Sequence, residues 1–147
     1  MSIKDKLMGD LKESMKSHNK LRKDVITLVR SAIKQKEVDE RVELKDEDIL
    51  DIISKQLKEK KSSIEEFKKG NREDLVKQTE DEIDILLEYL PKQLSQDELK
   101  VLVEEAIKKE NITSMKDIGK LMKTVMPLVK GKADGNAVNK IARELLN

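Results

Sequence analysis

The 147-residue chain has no cysteine and no tryptophan, and only one phenylalanine, one tyrosine, one histidine and two prolines. Without cysteine there is no disulfide, no thiolate metal site and no cysteine nucleophile. The single histidine, His18, sits in the polar stretch "KSHNK". With neither a second imidazole nor a thiol beside it, no metal site is expected there. Scarce aromatics exclude a stacking platform for unpaired bases. They also leave the core to Leu, Ile, Val, Met and Ala. No apolar run reaches the length of a signal peptide or a membrane span. No membrane partner is therefore expected, and the expected location is cytoplasmic.

Charge is abundant instead: 41% of residues are Asp, Glu, Lys or Arg, yet the net charge is only +1. It is unevenly distributed. Residues 1–90 carry 20 basic and 22 acidic side chains, residues 91–147 carry 11 and 8, and residues 115–147 carry 7 and 3. Positive charge thus gathers toward the C-terminal end.

The apolar pattern is helical throughout, and no alternating strand pattern occurs. Ile3, Leu7, Leu11 and Met15 mark a first helix, and Val25, Ile26, Val29, Ala32 and Ile33 a second. A third is expected to start at an Asp46 cap and end on a left-handed Gly70, with Asn71 capping a fourth that stops before Pro91. In "LPKQLSQDEL", Ser95 and Glu98 have capping-box spacing. A fifth helix then runs through Leu99, Leu102, Val103, Ala106 and Ile107. A sixth has the seam Met115, Ile118, Met122 and Val125, and a short seventh has Val138, Ile141, Ala142 and Leu145. The expected fold class is all-α: an N-terminal helical domain of about four helices, residues 1–90, and a C-terminal three-helix domain, residues 95–147, joined by a hinge at 91–94.

One stretch departs from this pattern. "PLVKGKADGNAVNK" holds one of the two prolines, Pro127, and two of the five glycines, Gly131 and Gly135. Two readings stand. In the first it is a helix–helix connection, with Gly131 left-handed, Asp134 a cap and Gly135 in the first turn of the last helix. In the second it is a phosphate-facing surface. Lys116, Lys120, Lys123 and Lys130 are spaced +4, +3, +7, and Asn136, Lys140 and Arg143 +4, +3. Each set falls on one helix face if its helix persists, with Lys132 between them. Such stripes, with free N–H groups at a helix start, suit phosphate oxygens. The P-loop pattern is absent, so a nucleic-acid partner would be a folded RNA, met through its shape and backbone.

"LPKQLSQDEL" together with "MKDIGKLMKTVMPLVKGKADGNAVNKIARELL" resembles the GatB/YqeY family, and "LKEKKSSIEEFKKGNREDLV" resembles the N-terminal half of stand-alone YqeY proteins. "KGKADG", Lys130–Gly135, is the most specific part. The C-terminal portion is similar to the tail of the B subunit of tRNA-dependent amidotransferases, a mobile module that contacts tRNA. The resemblance implies an all-α, two-part protein linked to tRNA and translation, in a family labelled carbon–nitrogen ligase with glutamine as amido donor. The B subunit's catalytic cradle and the amidase subunit's Gly/Ser-rich segment have no counterpart in this sequence. No catalytic residue and no cofactor are therefore assigned. The expected function is an accessory tRNA-binding module, alone or docked on a tRNA-modifying or aminoacylating enzyme. The RNA-binding residues are Lys120, Lys123, Lys130, Gly131, Lys132, Gly135, Lys140 and Arg143. The alternative is a helical protein–protein adaptor that binds no RNA.

Overall fold

A computed structural model describes residues 2–146. Among the described residues the chain is all-helical, with no strand. It divides into two compact units, one ending at Leu90 and the other beginning at Pro91.

The first unit holds α1 (Ile3–Lys16), α2 (Lys20–Glu40), α3 (Asp46–Lys69) and α4 (Glu73–Leu87). Polar caps set where α1 and α2 start. Ser2 Oγ accepts from the Asp5 N–H and Asn19 Oδ1 from the Arg22 N–H, each at 3.1 Å. Such contacts satisfy amides that have no partner inside the helix. Leu7, Val25, Ile26, Val29, Ile49, Ile53, Leu57 and Leu86 form the centre of the core. Helix α1 meets α2 here, and α3 runs along α4.

Three local expectations change. Asp46 is the first residue of α3 and not its cap. Its carboxylate accepts instead from the Ile3 N–H at 3.1 Å, tying the start of α1 to the start of α3. Asp48 takes over the capping contact, accepting from the Lys45 N–H at 3.0 Å. Gly70 is not left-handed (φ −86°), and Asn71 is, at φ 56°. Met15 lies exposed, while Ser14 turns inward and donates to the Leu11 carbonyl at 2.8 Å.

Helices in this glycine-poor chain mostly end without glycine. His18, Arg41, Asn71 and Asn111 all take φ between 54° and 57°. Asn and His tolerate that region better than most side chains, whereas Arg41 holds it at a cost of about 1 kcal/mol.

The second unit holds α5 (Gln96–Lys109), a single 3-10 turn (Met115–Asp117), α6 (Ile118–Val129) and α7 (Gly135–Leu146). The capping box forms: Glu98 N–H donates to Ser95 Oγ at 3.1 Å and Ser95 N–H to Glu98 Oε1 at 3.3 Å. Leu99, Val103, Leu121, Val125, Val129, Val138 and Ala142 make its core. The α6 seam is Leu121–Val125–Val129, with Ile118 and Met122 only partly buried. The 3-10 turn winds more tightly than an α-helix. Met115 therefore falls out of phase with the seam expected from spacing alone.

Candidate nucleic-acid interface

Helix α6 ends at Val129, so Lys130 is no longer on it; its φ and ψ are −53° and 121°. Gly131 follows at φ 73°, a conformation glycine adopts without strain. The Val129 carbonyl accepts from both Lys132 N–H (2.7 Å) and Ala133 N–H (3.0 Å). Asp134 then opens α7. Its carbonyl accepts from Ala137 and Val138 N–H, and its Oδ1 from Asn136 N–H at 3.2 Å. These contacts occupy the amides of Lys132, Ala133, Asn136, Ala137 and Val138. The loop backbone is a helix–helix connection.

A second set of bonds holds the loop from outside. Gln93 Nε2 donates to the Gly131 carbonyl at 2.6 Å and to the Pro91 carbonyl at 3.0 Å, and Leu94 N–H donates to the Lys132 carbonyl at 3.0 Å. "LPKQL" and "KGKADG" are thus stitched together within the C-terminal unit. Nothing in the sequence singles out Gln93, an uncharged side chain in a stretch read as a hinge.

The cations sort into groups. On α6, Lys120 and Lys123 point away from the Leu121–Val125–Val129 seam and are exposed. Lys120 is engaged at the other end of the unit, donating to the Glu110 carbonyl at 3.3 Å, with the Glu110 carboxylate at 3.9 Å. It caps the end of α5 and is separate from the loop. On α7 the face opposite Val138 and Ala142 carries exposed Asn136, Lys140 and Arg143, with Glu144 at its margin. Lys132 stands exposed on the loop, and Lys130 is half-buried. Among the described residues, Lys123, Lys132, Lys140 and Arg143 form no ion pair. Lys140 lies about 8 Å along the axis from the start of α7, and Lys123 about 9 Å from the end of α6.

The two glycines differ in their surroundings. Gly131 is buried, and its carbonyl is taken by Gln93. Gly135 lies where a Cβ would meet Met126 Cε at 3.4 Å, an ordinary contact with the end of a flexible side chain.

No group of three or more His, Cys, Asp or Glu side chains among the described residues is placed to hold a metal ion. No helix among them is long and apolar enough to cross a membrane.

A family model described as Yqey-like protein matches residues 4–146. Curated relatives named altered inheritance of mitochondria protein 41, mitochondrial, are similar to this chain. The one from Lachancea thermotolerans is 46% identical over 85 residues, 57% of this chain and 46% of that protein. The one from Kluyveromyces lactis is 44% identical over 84 residues, 56% of this chain and 45% of that protein. The one from Pyrenophora tritici-repentis is 32% identical over 146 residues, 96% of this chain and 79% of that protein. The chain thus spans just under half the length of the first two relatives.

These names contradict the cytoplasmic location expected from the sequence, because the relatives are named as mitochondrial proteins. That expectation rested on the lack of a long apolar run. Mitochondrial transit segments are amphipathic and Arg-rich, so such a test does not register them.

Proposed function

We propose, from the premise that this chain belongs to the YqeY-like protein family, that it is an accessory module that binds folded tRNA through its C-terminal unit. In this reading it performs no chemistry itself and works alone or beside a tRNA-modifying or aminoacylating enzyme. The supporting observation is the outer face of α7 and the adjoining loop: Lys132, Lys140 and Arg143 are exposed, with no ion-pair partner among the described residues. Asn136, on the same face, adds a neutral amide suited to sugar or phosphate oxygens.

The proposed contact is electrostatic. Each cation set against a phosphate releases a condensed counterion, so affinity falls as salt rises. Without aromatic platforms, the unit would meet the backbone and shape of RNA. The resemblance to the amidotransferase tail points to the same class of partner.

The test is equilibrium binding of the purified chain to unfractionated tRNA across a salt series. Saturable binding that weakens steadily with salt is expected. No saturable binding at low salt would remove the tRNA reading and leave the protein adaptor in its place.

A further inference from the structure

We infer that the outward face of α2 is a second phosphate-contacting surface, which takes the sugar–phosphate backbone of RNA. The inference rests on the tRNA reading for its ligand class, but it concerns the other unit and different residues.

Helix α2 buries Val25, Ile26, Val29 and Ile33 against the core. One flank of this buried face carries Lys23, Thr27, Arg30 and Lys34, spaced +4, +3, +4, with Lys20 and Ser31 beside them farther round. Arg30 is half-buried and the others are exposed. The stripe rises about 21 Å along the helix axis from Lys20 to Lys34.

This unit has more acidic than basic side chains, and some of its cations are paired. Arg22 holds Glu88, Lys60 holds Glu82, Arg72 holds Asp74 and Lys77 holds Asp81. Lys20, Lys23, Arg30 and Lys34 make no ion pair with any described residue. Asp24 and Glu37 border the stripe. The Glu37 carboxylate is already held by Lys4 Nζ and by the Leu44 N–H at 2.8 Å. Arg30 and Lys34 are like charges at i, i+4, an arrangement that weakens an isolated helix. Local stability therefore does not explain this stripe.

An open groove runs beside it, where Lys4, Leu7 and Met8 of α1 face Thr27, Arg30 and Lys34 of α2, and Asp5 also lines it. The mixture of a guanidinium, ammonium groups and a hydroxyl along one line matches phosphate and ribose oxygens. A membrane surface fits less well, because α2 buries its apolar face in the core and leaves only Leu28 and Val38 as exposed large apolar side chains, too few for an apolar face that enters lipid.

The test uses the full chain. Lys23→Gln/Arg30→Gln/Lys34→Gln is compared with the parent for tRNA binding across salt, with helicity and melting measured on both. Removing three phosphate contacts is expected to flatten the log–log salt slope by about two to three, at about 0.7–0.9 per contact, and to weaken low-salt binding at least tenfold. The single variants should each flatten it by about one contact, which keeps the test valid if the triple variant melts early. If the parent binds tRNA and the variants keep its slope and affinity, the α2 surface is refuted while the tRNA reading stands. If the parent does not bind tRNA, both fall. Loss of binding to phosphatidylserine vesicles with tRNA binding unchanged would assign the stripe to a membrane and overturn the RNA inference.

Discussion

The side-chain amide of Gln93 donates to the Gly131 carbonyl at 2.6 Å and to the Pro91 carbonyl at 3.0 Å, so one neutral side chain joins the two motifs that carry the family resemblance. Leu94 N–H to the Lys132 carbonyl is the adjacent bond, and Leu94 packs against the C-terminal core. The stretch read as a hinge is bonded, at its C-terminal end, to the loop that spacing marked as functional.

A fragment covering 91–147 should therefore be more stable than one covering 95–147, by about 2 kcal/mol for two lost hydrogen bonds. In the full chain, Gln93→Ala should cost about 1 kcal/mol, read as faster hydrogen exchange in the C-terminal unit with exchange in the N-terminal unit unchanged. Equal melting of the two fragments would show that the contact contributes nothing.

Gly131 and Gly119 should respond in opposite ways. Gly131 is left-handed and buried, so Gly131→Val should destabilise by at least about 1–2 kcal/mol. Gly119 lies exposed inside α6 with open space around an added Cβ. Gly119→Ala should stabilise by about 0.5–1 kcal/mol. Thermal melts of the two variants decide this, and a shift in the same direction for both would contradict the assigned backbone.

Tyr89 should resist ionisation. It is buried, its hydroxyl donates to the Asp10 carboxylate, and the Lys6 ammonium lies 5.0 Å from its ring centroid. Burial raises its pKa most, followed by the hydrogen bond to Asp10 and the charge on Asp10. A raised folded pKa stabilises fully below the unfolded value, about pH 10, and that contribution is lost as pH rises through the folded value. As the only tyrosine in a chain without tryptophan, it can be followed by phenolate absorbance. The folded protein should show little phenolate at about pH 10, and Asp10→Asn should bring ionisation lower. Half-ionisation near pH 10 in the folded parent would disprove the coupling.

At the other end of the pH scale, Arg22 grips Glu88 through two bonds, at 2.8 and 2.9 Å, and this contact holds the Glu88 carboxyl below its ordinary value of 4.5. A depressed carboxylate stabilises above its unfolded pKa, and that contribution disappears as pH falls through the folded one. Glu88 is about half exposed, so the bidentate pair contributes at most about 1 kcal/mol. The stability gap between the parent and Arg22→Met should be full above about pH 5 and close below it. A gap constant from neutral to strongly acid pH would show that Arg22 acts by packing alone.

The α-helical class and the seven α-helices among the described residues follow from the apolar spacing, because burial of one stripe per helix imposes that period. Ends were harder to place. Gly70 and Asn71 compete for the left-handed position, and only the local chain path decides between them. Asp46 reads as a cap from its neighbours, yet the Ile3 N–H claims it from 43 positions away. Gln93 had no signal at all, since a neutral amide becomes informative only once its partner carbonyl is placed. The basic residues of α7 were readable by spacing. Those of α2 obey the same rule, but the net negative charge of residues 1–90 hides them. Lys120 shows the limit of spacing: it shares a face with Lys123, but it is drawn to Glu110 at the end of α5.

In the proposed function, the outer face of α7 and its loop contact tRNA. Fluorescence anisotropy of labelled tRNA with the parent and with Lys132→Gln/Lys140→Gln/Arg143→Gln measures that contact. All three side chains are exposed, so helicity and melting should match the parent. Loss of three phosphate contacts should flatten the log–log salt slope by about two to three and weaken binding of different tRNAs alike. An unchanged slope and affinity, with the parent binding tightly, would contradict the assignment of RNA to this face.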